Sequence, residues 1–98
     1  MQLEELTQAM HRFVESRGWY RPDSPRPQTP RNLAASLAIE AAEVLELYQW
    51  GASPPEPAAL GEELADVTLY LLQLASVSGV DLEAAILAKL DRNYGRSW

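Results

Sequence analysis

LAASLAIEAAEVLELYQW, residues 33–50, and GEELADVTLYLLQLA, residues 61–75, are apolar stretches that each carry a pair of acids three residues apart. The first pair is Glu40 and Glu43, the second Glu63 and Asp66. Apolar residues recur at helical rather than strand spacing in both. Leu33, Leu37, Glu40, Val44 and Leu47 form one stripe, in which Glu40 takes a slot suited to leucine. Ala59, Glu63, Asp66, Tyr70 and Gln73 form another, and Asp66 is the single charge in the segment LADVTLYLLQLA. A charge on a face destined for burial is costly unless it is paired or metal-bound.

Position relative to the intervening turn suggests that the pairs meet. Glu43 lies seven residues before Trp50 and Glu63 seven after Glu56, while Glu40 and Asp66 each lie ten from the same points. At a rise of about 1.5 Å per residue, an antiparallel hairpin sets Glu43 level with Glu63 and Glu40 level with Asp66. Two like charges about 5 Å apart repel by about 3 kcal/mol at an effective dielectric of 20. Favourable helix-surface pairs contribute only about 0.2–0.5 kcal/mol. The quartet therefore either splays apart or holds cations. All-oxygen ligation suits Mg²⁺, with Mn²⁺ as a substitute. Either pair alone would normally be a solvated face, and Glu46 and Glu62 read as ordinary surface charges. A carboxylate-bridged di-iron centre requires Glu-x-x-His on two helices. The single histidine, His11, follows Gln8 at that spacing, so the iron alternative is weak.

Outward from this hairpin the chain reads as all-α. Leu3, Leu6, Met10, Phe13 and Val14 mark a first helix over about 3–17, ended by Gly18. Pro22, Pro25, Pro27 and Pro30 make 19–30 a proline-rich connection. A second helix is expected over about 32–50, capped by Asn32 and stopped by Gly51. Ser53-Pro54-Pro55-Glu56 reads as a capping box opening a third helix over about 55–78, closed by Gly79. Asp81 caps a fourth over about 81–93. Neither strand alternation nor a repeat of solenoid length is present. One domain is expected over 1–98, a four-helix hairpin or bundle completed by oligomerisation.

Composition narrows the function classes. Of the 98 residues 47% are hydrophobic, more than a small monomer readily hides, so a homodimer or homotetramer is expected. The net charge of −6 and the absence of a massed basic face argue against nucleic acid. Without cysteine there is no disulfide and no thiolate metal site. MQLEELTQAM is acidic and amphipathic, unlike a signal peptide, and no apolar run is long enough to span a bilayer. A cytoplasmic location is expected, with no membrane partner.

The paired acids, together with Pro30-Arg31-Asn32-Leu33, the run IEAAEVLELYQW, GEELADVTLYLLQLA and the C-terminal KLDRNYGR, resemble the MazG-like all-α nucleoside triphosphate pyrophosphohydrolases. The resemblance is closest to their small dCTP pyrophosphatase branch and covers most of the chain from Pro30 onward. It implies that Glu40, Glu43, Glu63 and Asp66 bind Mg²⁺ and form the catalytic centre. The reaction implied cleaves a (d)NTP, a dCTP-like or modified pyrimidine nucleotide, to a monophosphate and pyrophosphate, in nucleotide-pool clean-up. It further implies that Trp19, Trp50 and Tyr70 hold the base, that Lys89 and Asn93 face the phosphates, and that the base pocket borrows residues from a neighbouring chain. His11 is offset by one position from a histidine of some relatives and takes no role. The proline-rich loop departs from the family pattern, which bears on base selection.

The residues support the same chemistry independently. A triphosphate brings about four negative charges to an acidic protein, which cations and Lys89 would offset. A carboxylate not tightly engaged, Glu40 for instance, could act as general base. Aromatic faces stack on any base, although Trp19, Trp50 and Tyr70 could equally be core. Two other classes fit the pattern. One is a non-catalytic helical dimerisation or partner-binding module with an acidic patch. The other is a related hydrolase acting on phosphoribosyl-ATP or another diphosphate-linked compound.

Overall fold

A computed structural model describes residues 2–97. It contains four helices, α1 (Leu3–Ser16), α2 (Pro30–Glu46), α3 (Pro57–Val77) and α4 (Leu82–Tyr94), and no strand among the described residues. The all-α reading therefore holds. α2 and α3 form the most extensive pair, α1 packs on α3, and α4 touches α3 only lightly.

Several helix ends follow from single residues. α1 ends at Arg17, with Gly18 at φ 72°. The Trp19 amide then donates to the Val14 carbonyl at 3.3 Å and that of Gly18 to Glu15 at 3.0 Å, a Schellman closure. Gly79, at φ 70°, closes α3 in the same way, with Val80 donating to Ala75 at 2.9 Å and Gly79 to Ser76 at 3.2 Å. At both positions a side chain would be strained. Asp81 Oδ1 accepts from the Ala84 amide at 3.1 Å and caps α4 as expected.

Other boundaries differ from those the sequence suggests. α2 begins at Pro30, and its cap is Thr29, whose Oγ1 accepts from the Asn32 amide at 3.2 Å. Proline is pre-set for the first helical position and needs no amide partner there. Asn32 instead donates its side-chain amide to the Pro27 carbonyl at 2.9 Å, tying the loop to the helix. α2 stops at Glu46, before Trp50. Leu47, Tyr48 and Gln49 bond three residues back, to Val44, Leu45 and Glu46, and the chain then leaves the helix. Leu45 and Trp50 are 71% and 89% exposed, so nothing within the chain packs against a longer helix. The Ser53 capping box does not form. A residue before proline is driven out of the α region, so Pro54, followed by Pro55, and Glu56, followed by Pro57, cannot be helical. α3 therefore starts at Pro57, with Glu56 as its cap.

The core is small. Met10, Val14, Leu33 and Leu72 are its buried apolar side chains, and Gln73 is buried among them. The accessible surface is 7601 Å², against about 5,600 Å² expected for a monomer of this mass. The radius of gyration is 15.9 Å, against about 13 Å for a compact chain of this length. α4 accounts for part of the difference. It leaves α3 at a bend of 103° and exposes Ile86, Leu87, Leu90 and Tyr94. Among the described residues no single helix is long and apolar enough to cross a membrane.

Candidate functional site

Glu40 and Glu43 stand one turn apart on α2 and face Glu63 on α3. Each offers a carboxylate oxygen, and these three atoms lie within 4.8 Å of one another. All three residues are half-buried. Glu40 Oε2 and Glu63 Oε2 are sealed from solvent without a hydrogen-bond partner. Buried carboxylate oxygens without a donor are uncommon in folded proteins and call for an unseen partner. Burial pushes the Glu40 carboxyl up to about 7, aided by a hydrogen bond with Glu43 and by the charges of Glu43, Asp66 and Glu63. Glu63 is raised mainly by its hydrogen bond with Glu43, then by burial and by the charges of Glu43, Asp66 and Glu62.

The fourth expected member stands apart. Asp66 is exposed and lies outside the group of three, although its charge acts on both Glu40 and Glu63. Counting from Trp50 and Glu56 treated the hairpin as symmetric. In the fold Glu43 lies three residues from the end of α2, whereas Glu63 lies six beyond the start of α3. The connecting segment 47–56 takes up the difference, so the two pairs are not level one to one.

Asp66 also lines an apolar cleft of about 310 Å³ beside the carboxylates. α1 contributes Leu6, Met10 and Phe13, and α3 contributes Leu69, Tyr70 and Gln73. Trp19 and Gln28 come from the loop. The Schellman closure sets Trp19 beside α1, its ring edge-on to Phe13 with centroids 5.7 Å apart, and the Arg26 guanidinium sits 5.5 Å from its centroid. Size and lining match a small-molecule pocket: flat apolar walls with few polar groups.

Those polar groups form one network. Gln28 donates to the Arg26 carbonyl at 2.6 Å, and Gln73 Nε2 donates to Gln28 Oε1 at 2.7 Å and to the Tyr20 hydroxyl at 3.3 Å. Tyr20 lies 2.6 Å from His11 Nδ1, and His11 Nε2 lies 2.7 Å from Ser76 Oγ. Burial raises the Tyr20 phenol above its usual range and the Glu15 charge adds to this, against the lowering effect of the Gln73 hydrogen bond.

Trp19 and Tyr70 thus share the cleft, whereas Trp50 and Lys89 stand exposed and do not line it. Asn93 is half-buried, and its Oδ1 is sealed without a partner. Sequence reasoning missed Gln28, Met10 and Phe13, and it gave neither Gln73 nor His11 a role. Gln73 left a signal, a polar residue on the stripe with Asp66 and Tyr70, but its partners Gln28 and Tyr20 lie 45 and 53 residues away.

A family model described as MazG-like matches residues 35–96. Among curated proteins the chain is 40% identical to human dCTP pyrophosphatase 1 and 38% identical to the bovine protein of that name, in each case over 96% of this chain. It spans 58% of the length of those relatives. Among solved structures it resembles a pyrophosphatase from Archaeoglobus fulgidus, with a TM-score of 0.78 and 37% identity over 92% of this chain and 86% of that one.

Proposed function

This chain belongs to the MazG-like family, and on that premise we propose that it is a Mg²⁺-dependent nucleoside triphosphate pyrophosphohydrolase. Water and a (d)NTP, dCTP or a modified pyrimidine relative, would give the monophosphate and pyrophosphate, removing unwanted nucleotides from the pool. The observation that carries the reading is the trio Glu40, Glu43 and Glu63, with two sealed, unpartnered oxygens, adjoining an aromatic cleft through Asp66. The names of the relatives and of the solved structure point the same way.

The donor set is hard oxygen throughout, as Mg²⁺ or Mn²⁺ prefers. Glu40, Glu43 and Glu63 would hold the ion, with Asp66 at the margin towards the cleft. When bound, the metal neutralises phosphate charge and polarises the phosphoryl oxygens. The chain's own residues supply the rest. Trp19 and Tyr70 flank the base and fix its plane. Placing the base in the cleft directs the triphosphate towards Asp66 and the three glutamates. Glu40 is the carboxylate we propose to take the proton from the attacking water, leaving Glu43 and Glu63 to carry most of the ligation.

Trp50, Lys89 and Asn93 fit a role across a subunit boundary. The surface excess of roughly 2,000 Å² is the scale of an obligate contact rather than of a monomer. A homodimer or homotetramer covering α4 would let a second copy bring its own Trp50 or Lys89 to the cleft. We further propose a single domain over 1–98 and a cytoplasmic location.

Incubation of purified protein with a panel of triphosphates and Mg²⁺ tests the reading directly. Pyrophosphate release is expected. Its absence for every triphosphate at high enzyme concentration refutes the hydrolase and favours the non-catalytic module. Turnover of phosphoribosyl-ATP alone would identify the related hydrolase.

A further inference from the structure

Hydrogen-bond direction fixes both amides in the network at the end of the cleft away from Asp66. The Arg26 carbonyl can only accept, so the 2.6 Å contact from Gln28 is made by Nε2. Gln28 Oε1 is thereby turned the other way, where it accepts from Gln73 Nε2 at 2.7 Å. The second hydrogen of the Gln73 amide goes to Tyr20, 3.3 Å away. Tyr20, accepting there, lies 2.6 Å from His11 Nδ1. His11 Nε2 in turn lies 2.7 Å from Ser76 Oγ. Flipping the Gln73 amide would set its oxygen against Gln28 Oε1 and break the chain.

Both Gln73 hydrogens are consequently used, and its Oε1 keeps its acceptor capacity. Gln73 is only 3% exposed and lines the cleft. Among the described residues the sealed, unpartnered side-chain atoms are Glu40 Oε2, Glu63 Oε2 and Asn93 Oδ1. Gln73 Oε1 is not one of them, and Gln73 belongs to the cleft wall. Asp66, Leu69, Tyr70 and Gln73 follow one face of α3, which sets Gln73 about 10 Å beyond Asp66 along the helix axis. A nucleoside with its phosphates at Asp66 presents the far edge of its base to Gln73.

We propose that Gln73 selects the base, its Oε1 accepting a hydrogen bond from an exocyclic amino group, while Gln28, Tyr20 and His11 are positioning residues that keep the amide in that orientation. The assignment rests on the nucleotide-hydrolase reading and adds a selection rule to it. A base with a carbonyl at that edge sets oxygen against oxygen and leaves both without a donor. The discrimination expected from one such mismatch is on the order of tenfold to a hundredfold.

The experiment compares kcat/KM for dCTP and dUTP, which differ at that edge, by pyrophosphate release. Wild type favours dCTP by about tenfold or more, and Gln73→Met reduces the preference to about threefold or less. Gln28→Met frees the amide to rotate and narrows the ratio by raising turnover of dUTP, whereas mere loosening of the fold lowers both substrates together. Gln28 lies in the loop, so this variant decides the matter should Gln73→Met fail to fold by circular dichroism. Equal use of the two nucleotides by wild type, or a ratio unchanged in the folded variants, overturns the assignment alone. Failure of wild type to hydrolyse any triphosphate overturns the hydrolase reading and this assignment with it.

Discussion

Replacing Glu43 by glutamine should change stability in opposite senses with and without metal. Glu43 touches both Glu40 and Glu63, so Glu43→Gln removes the charge common to the cluster while keeping its shape. Two carboxylates at the 4.8 Å limit repel by about 3.5 kcal/mol at an effective dielectric of 20. The site is only half-buried, and solvent screening brings the relief from removing that charge down to about 1 kcal/mol. For a domain of this size that is about 4–8 °C in Tm. The metal-free variant should therefore melt higher than wild type at pH 7.5. Mg²⁺ at a hundred times its Kd should stabilise wild type by about 2.7 kcal/mol, more than reversing the order. Differential scanning fluorimetry over a MgCl₂ series, with circular dichroism as a check on folding, measures both effects. A variant that melts lower than wild type without metal and responds equally to Mg²⁺ would refute the argument that these carboxylates share one cation.

Metal-free stability should fall as pH rises from about 4.5 to about 7, because Glu40 holds its proton more tightly folded than unfolded; thermal melts in metal-free buffers read this slope. Saturating Mg²⁺ should remove or reverse that slope and release protons on binding, detectable by calorimetry in buffers of different ionisation enthalpy. Leu33→Ala, at a side chain 1% exposed, should cost about 2.7–5 kcal/mol and leave little folded protein by circular dichroism. Trp19→Ala should raise KM about 5- to 100-fold with kcat less affected, as expected when a stacking face is lost. Leu87→Asp together with Leu90→Asp should shift the sedimentation coefficient to that of a monomer if α4 lies in a subunit contact; an unchanged coefficient would place the contact elsewhere.

The parts of the fold legible in the sequence are those governed by local chemistry. Gly18 and Gly79 announce left-handed helix ends, Asp81 caps its own helix, and Glu40 stands out on an apolar stripe. The misread parts depend on what surrounds a residue. The run LELYQW has helical periodicity, yet α2 ends within it because nothing in the chain packs on Leu45 or Trp50. Proline placement around Pro57 was legible in principle, since the restriction on a residue before proline rules out a helix starting at Pro55. Phe13 and Met10 have the spacing of core residues, and only the approach of Trp19 and Tyr70 turns part of that core into a cleft wall. The Gln73 network depends on a loop folded back across α3, which no local pattern encodes.

Asp66 has one side chain and two neighbourhoods: it lines the cleft, and its charge is felt by Glu40 and Glu63. Whatever settles that charge in one compartment changes the free energy of binding in the other. Thermodynamic reciprocity then requires that the factor by which a cation tightens a nucleotide equals the factor by which the nucleotide tightens the cation. On the proposed reading, an apparent metal affinity measured on the empty protein is therefore a property of half a cycle, and the affinity relevant to turnover would be set by a nucleotide lying against Trp19.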